Sequence, residues 1–133
     1  MTPNHFFDLT NPANRAVYGY IKNLSVDPEV AEPLTTAIKP LGDVQVFIPD
    51  PGSCSYCAVS TKGIIFGFAI GRGIIVFRLD EKMKARAVAT GGAAFPESGP
   101  EWVGFEPFRC DWPKIDFEFW ARKAYCFVRE NIP

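Results

Sequence analysis

The chain has 133 residues, 47% hydrophobic and 22% charged, with fourteen basic side chains against fifteen acidic ones and a net charge of −1. That length suits one domain with a full apolar core that needs no disulfide staples. The balanced charge lacks the basic excess that phosphate contacts demand, so nucleic acid is not an expected partner. No apolar run approaches the ~18 residues of a membrane helix, so no membrane association is expected either.

Residues 1–11 read as a tail. The opening MTPNHFFDLTNP has no charged segment followed by an apolar stretch, which argues against a secretory signal and for a cytoplasmic protein with reduced thiols. Residues 12–41 read as helical. Asn11–Pro12 is a helix start, an N-cap followed by proline where its missing N–H costs nothing. Ala13, Val17, Tyr20, Ile21 and Leu24 then share one face. A second start at Asp27–Pro28 leads into Val30, Leu34, Ile38 and Leu41 at helical spacing, with Pro33 as a kink or a later beginning and Gly42 as the stop.

From Val44 the period changes to two, and residues 44–79 read as antiparallel strands: VQVFI, then YCAVST, IIFGFAI and IIVFRL, separated by PDPG, Lys62–Gly63 and GRG. In IIFGFAI, strict alternation puts Ile64, Phe66, Phe68 and Ile70 on one face and Ile65, Gly67 and Ala69 on the other. Both faces are apolar, as in a central strand covered on each side, and the small pair Gly67 and Ala69 would admit a close helix. Asp80 caps an alanine-rich helix, residues 80–92, that stops at Gly91–Gly92. AAFPESGP reads as an irregular loop, and residues 102–106 as a strand alternating Val103 and Phe105 against Trp102 and Gly104. The last element, residues 116–130, is a helix capped by Asp116 that buries Phe117, Trp120, Ala121, Ala124, Phe127 and Val128. The expected class is α+β: an antiparallel sheet of four to five strands flanked by two N-terminal helices, a middle helix and a C-terminal helix.

The one conspicuous chemical motif is the C-x-x-C of Cys54 and Cys57. A redox pair needs its first thiol at a helix N-terminus, whereas Ala58, Val59, Ser60 and Thr61 favour a strand. Two extended cysteines three apart would hold their Cα atoms ~10 Å from each other, beyond the ~7 Å limit of a disulfide. Zinc would need two further ligands from Cys110, Cys126 and His5, which show no second close pair. The cysteines therefore read as packing residues, with no metal and no cofactor expected. His5 is the only histidine and lies in the tail, which argues against histidine-based general-base catalysis. The run RLDEKMKAR holds Arg78, Lys82, Lys84 and Arg86, but Asp80 and Glu81 interrupt it, so it reads as a solvated helix face.

Aromatic residues concentrate late: nine of nineteen, with all three tryptophans, fall from Trp102 to Phe127. Core closure accounts for most of that density. The alternative is a binding surface, for which the candidates are Trp102, Phe105, Phe108, Arg109, Trp112 and Phe119. Phe119 stands out because a helical wheel puts it opposite Phe117, Ala124 and Val128, alongside Lys123, Cys126 and Glu130.

Residues 63–127, with IIFGFAIG, then IIVFRLDEKMKARAVATGG, EWVGFEPF and FWARKAYCF in that order, resemble the TfoX N-terminal family and the wider YjbR-like group of small bacterial domains. The resemblance implies a compact antiparallel sheet with packed helices and a regulatory or binding role, linked in the TfoX family to competence gene regulation. It transfers no catalytic residue. The first forty residues have no clear counterpart there, and the C-terminal domain of full-length TfoX proteins is lacking after the final helix. The expected function is thus non-catalytic binding through protein contacts, with a homodimer as the expected oligomer. A nucleic-acid-associated regulator is the first alternative. A small-molecule binder or enzyme, with a pocket lined by Trp102, Phe105 and Trp112, is the second.

Overall fold

The computed structural model describes residues 11–24, 26, 28–48, 56–71, 73–106 and 115–131. The described elements are α1 (Pro12–Ile21), α2 (Pro28–Ala37), β1 (Gln45–Phe47), β2 (Cys57–Thr61), β3 (Ile64–Ile70), β4 (Ile74–Arg78), α3 (Glu81–Ala89), β5 (Ala93–Ala94), β6 (Trp102–Phe105) and α4 (Phe117–Asn131). The six strands form one antiparallel sheet in the order β1-β2-β3-β4-β6-β5, and the class is α+β. The sheet has one strand more than the four to five expected. The extra one is β5, inside the stretch read as irregular: Ala93 and Ala94 pair with Gly104 and Val103, and a 3-10 turn follows at Pro96–Ser98. Two exposed alanines carry no alternation, so the pattern could not announce them.

Helix boundaries follow their caps. The Asn11 side chain accepts from Ala13 N at 2.9 Å, and Asp80 accepts from Met83 N at 2.7 Å. Asp116 accepts from Phe119 N at 3.0 Å and opens α4. Helix α2 runs through Pro33 and ends at Ala37, before the expected stop at Gly42. Pro40, with no N–H to donate, prevents its continuation.

Both faces of the sheet are covered, so β3 is buried along its whole length. One face packs against α2, α3 and α4 through Val59, Phe66, Phe77, Phe105, Trp120 and their neighbours. The other packs against α1 through Val17, Ile21, Phe68, Val76 and Trp102. The strict alternation expected for β3 does not hold. Ile64 and Phe66 lie on the three-helix face, but Phe68 and Ile70 lie on the α1 face. The cause is a bulge: Val59 pairs with Gly67 and Ser60 with Ile65, leaving Phe66 unmatched on β2. One extra residue reverses every side chain beyond it. Nor does a helix backbone sit over Gly67; a Cβ there would meet Val59 Cγ2 at 3.1 Å and Phe77 Cδ1 at 3.2 Å.

Two buried polar residues fasten α1 to the sheet. The Asn14 amide donates to Gly63 O at 2.8 Å and accepts from Ile65 N at 2.9 Å. It thereby holds the β2–β3 hairpin, whose turn residues Lys62 and Gly63 both have positive φ, 51° and 78°. Arg78, at the end of β4, is 1% exposed. Its Nη2 donates to Ala13 O at 2.6 Å, its Nη1 lies 3.3 Å from Glu101 Oε1, and its Cζ lies over the Trp102 ring, 4.6 Å from the centroid.

Candidate functional site between α3 and α4

Helices α3 and α4 lie on the same side of the sheet and enclose a groove of about 290 Å³ lined by Arg86, Thr90, Ile115, Asp116, Phe119 and Trp120. Its position follows from local sequence. Ala87 is the buried residue of α3, so Arg86 beside it faces outward. On α4 the buried set Trp120, Ala121, Ala124 and Val128 leaves Phe119 at the boundary, half-buried. The Phe119 and Trp120 rings meet edge to face, 4.9 Å apart at 86°. Arg86 Cζ lies 5.2 Å from the Phe119 ring centroid, and Lys123 Nζ lies 5.3 Å from it. A large apolar side chain on a charged face is thus explained: its ring carries two cations, attracted by the negative face of the π-system. Among the described residues, neither Arg86 nor Lys123 forms an ion pair.

A second groove, about 340 Å³, is lined by Leu79, Asp80, Glu81, Lys84, Pro100, Glu101 and Phe127. Its charged groups are largely engaged internally. Asp80 caps α3, Lys84 Nζ donates to Pro100 O, and Glu101 faces Arg78. Burial pulls the Arg78 guanidinium down to about 10 while Glu101 pushes it back up; it remains cationic at neutral pH. Among the described residues its Nε has no hydrogen-bond partner. This cluster ties β4, β6 and α1 together and leaves little to offer a ligand.

The six candidates for a binding surface separate accordingly. Trp102 and Phe105 are 1% and 0% exposed and belong to opposite faces of the sheet, so they cannot present a surface, nor line one pocket together. The Trp102 ring meets Phe68 tilted, and the Phe105 ring meets Phe77 and Phe117 edge to face and Trp120 tilted. Phe108, Arg109 and Trp112 lie outside the described residues, as does Cys54. Phe119 alone of the six is both described and accessible. The run RLDEKMKAR is not one solvated face either, since Arg78 is interior.

Cys57 sits in β2 among core residues as a free thiol, and burial pushes it up to about 12. A thiol so held is protonated and inert at neutral pH. Burial also raises Tyr56, with Tyr18 adding to the shift. Among the described residues no cluster of His, Cys, Asp and Glu could hold a metal ion, and no helix is long and apolar enough to cross a membrane.

Sequence reasoning missed Asn14 and the burial of Arg78, although each left a trace. Asn14 lies three residues before Val17 on the apolar face of α1, and Arg78 alternates with Ile74 and Val76 in β4. The meeting of Arg86 with Phe119, 33 positions apart on different helices, left none. No protein-family model matches the chain, and neither a curated protein nor a solved structure shows significant similarity to it.

Proposed function

We propose that this chain is a non-catalytic binding domain whose recognition surface is the α3–α4 face. The observation that carries the reading is Phe119, half-buried beside Trp120 with two cations over its ring and no ion pair to occupy either of them among the described residues. Aromatic residues and arginine are the types enriched where proteins meet. The first partner to consider is a second copy. A two-fold interface must be self-complementary, and this face offers both signs around one apolar centre, Arg86 and Lys123 with Asp116. The resemblance to TfoX N-terminal domains favours a regulatory setting for such an assembly. The mixed charge of the face counts against nucleic acid as its partner.

Sedimentation velocity across micromolar concentrations tests the reading. The wild type should associate, and Phe119→Glu should weaken that association by about thirtyfold, the loss typical of a central interface residue. A wild type that stays monomeric, or a dimer indifferent to Phe119→Glu, would overturn the second copy as occupant of this face.

A further inference from the structure

We infer that the α3–α4 groove is a binding site for a small organic monocarboxylate, its carboxylate held by Arg86 and its apolar body laid against Phe119, Trp120 and Ile115. This rests on the α3–α4 face being the recognition surface, but not on a second copy covering it. The groove's volume of about 290 Å³ is at the small end of ligand sites. Among the described residues its lining divides into an aromatic and aliphatic floor and one cation, Arg86, on the α3 side.

The state of Arg86 is what assigns the charge of the ligand. The Arg86 guanidinium carbon lies 5.2 Å from the Phe119 ring centroid, a contact made through the π-system that uses up none of its N–H donors in an ion pair. Among the described residues no carboxylate takes them. Asp116, in the same lining, does not reach Arg86 and uses Oδ1 to cap α4 at Phe119 N. A planar carboxylate matches the fork of donors in a bidentate pair. Lys123, 5.3 Å from the same ring, adds a second positive charge nearby. The Asp116 carboxylate sets the other limit, because it repels a phosphate dianion more strongly than a monoanion. Thr90 offers no competing donor, since its hydroxyl is within hydrogen-bonding distance of the Arg86 and Ala87 carbonyl oxygens, 3.1 Å from each.

The test is a titration of the full chain with phenylacetate, followed by ¹H–¹⁵N NMR, with phenylacetamide and inorganic phosphate as comparison probes. Phenylacetate should give saturable shifts centred on Arg86, Thr90, Phe119 and Trp120. Phenylacetamide should bind about tenfold or more weakly, as should the Arg86→Gln variant, the loss expected for one hydrogen bond to a charged group. Asp116→Asn keeps an N-cap of equal quality, so α4 remains intact, and it should hold phenylacetate as tightly as the wild type or more so. Absence of saturable shifts with phenylacetate overturns the inference. So does an amide or phosphate that binds as well as phenylacetate, or binding that survives Arg86→Gln in a folded protein. Dimerisation without carboxylate binding would leave the recognition face standing and remove only the ligand class.

Discussion

Replacing Asn14 by alanine removes two hydrogen bonds that join α1 to the β2–β3 turn, and the cost follows from the groups left behind, Ile65 N–H and Gly63 C=O. The Ile65 N–H is fully buried, so it loses its acceptor with no water to substitute, at about 2 kcal/mol. The Gly63 carbonyl is only partly buried and recovers some hydration, leaving about 1 kcal/mol. Alanine returns about 0.5 kcal/mol through its better helix propensity. The net expectation is a destabilisation of about 2.5 kcal/mol, which for a chain of this size lowers the melting temperature by about 5–10 °C. Urea unfolding monitored by circular dichroism measures it, as a shift of midpoint at constant slope. A loss below about 1 kcal/mol would mean that the hairpin holds its turn unaided and that the argument from buried partners is wrong.

Glu101→Gln strips the counter-charge from a guanidinium that is 1% exposed. Breaking a fully buried pair costs about 3–5 kcal/mol. Glu101 is 38% exposed, and solvent screening reduces the expectation to about 1–2 kcal/mol by urea unfolding; an unchanged midpoint would refute it. Gly92→Ala would set a Cβ 2.8 Å from Val103 Cγ1 and 2.9 Å from Phe105 Cε1, so overpacking should cost about 1–3 kcal/mol, and a neutral outcome would show that this corner of the core is slack. Cys57 has its thiol raised in the folded state, from 9.0 to about 12, so its contribution to stability is intact below pH 9 and is lost as pH rises toward 12. Melting temperatures of the wild type should therefore fall more steeply between pH 9 and 11 than those of Cys57→Ala, and parallel curves would contradict the burial argument.

The elements most legible in the sequence were those whose own side chains specify them. Asn11, Asp80 and Asp116 announced helix starts, and the apolar run of β3 announced a strand covered on both faces. What escaped depends on partners distant in the chain. The bulge opposite Val59 is decided by two strands together, so no alternation within β3 alone could reveal that Phe66 and Phe68 diverge. β5 exists because β6 offers it a free edge, not because two alanines prefer to be extended. At the candidate site, the wheel position of Phe119 was readable. The cation from α3 that completes it was not, since nothing in one sequence says which face of α3 will lie beside α4.

The fastenings of α1 have a bearing on how the molecule is made. Its polar anchors, Gly63, Ile65 and Arg78, follow their partners by 49, 51 and 65 positions. At a translation rate of about 5–20 residues per second, several seconds pass between the emergence of this helix and the arrival of everything that receives it. Over that interval Val17 and Ile21 have no sheet to cover them, and the nascent chain offers a short greasy flank to whatever waits at the ribosomal exit. Variants that slow the β2–β3 hairpin should therefore lower the soluble yield in cells more than they lower the melting point of the purified protein.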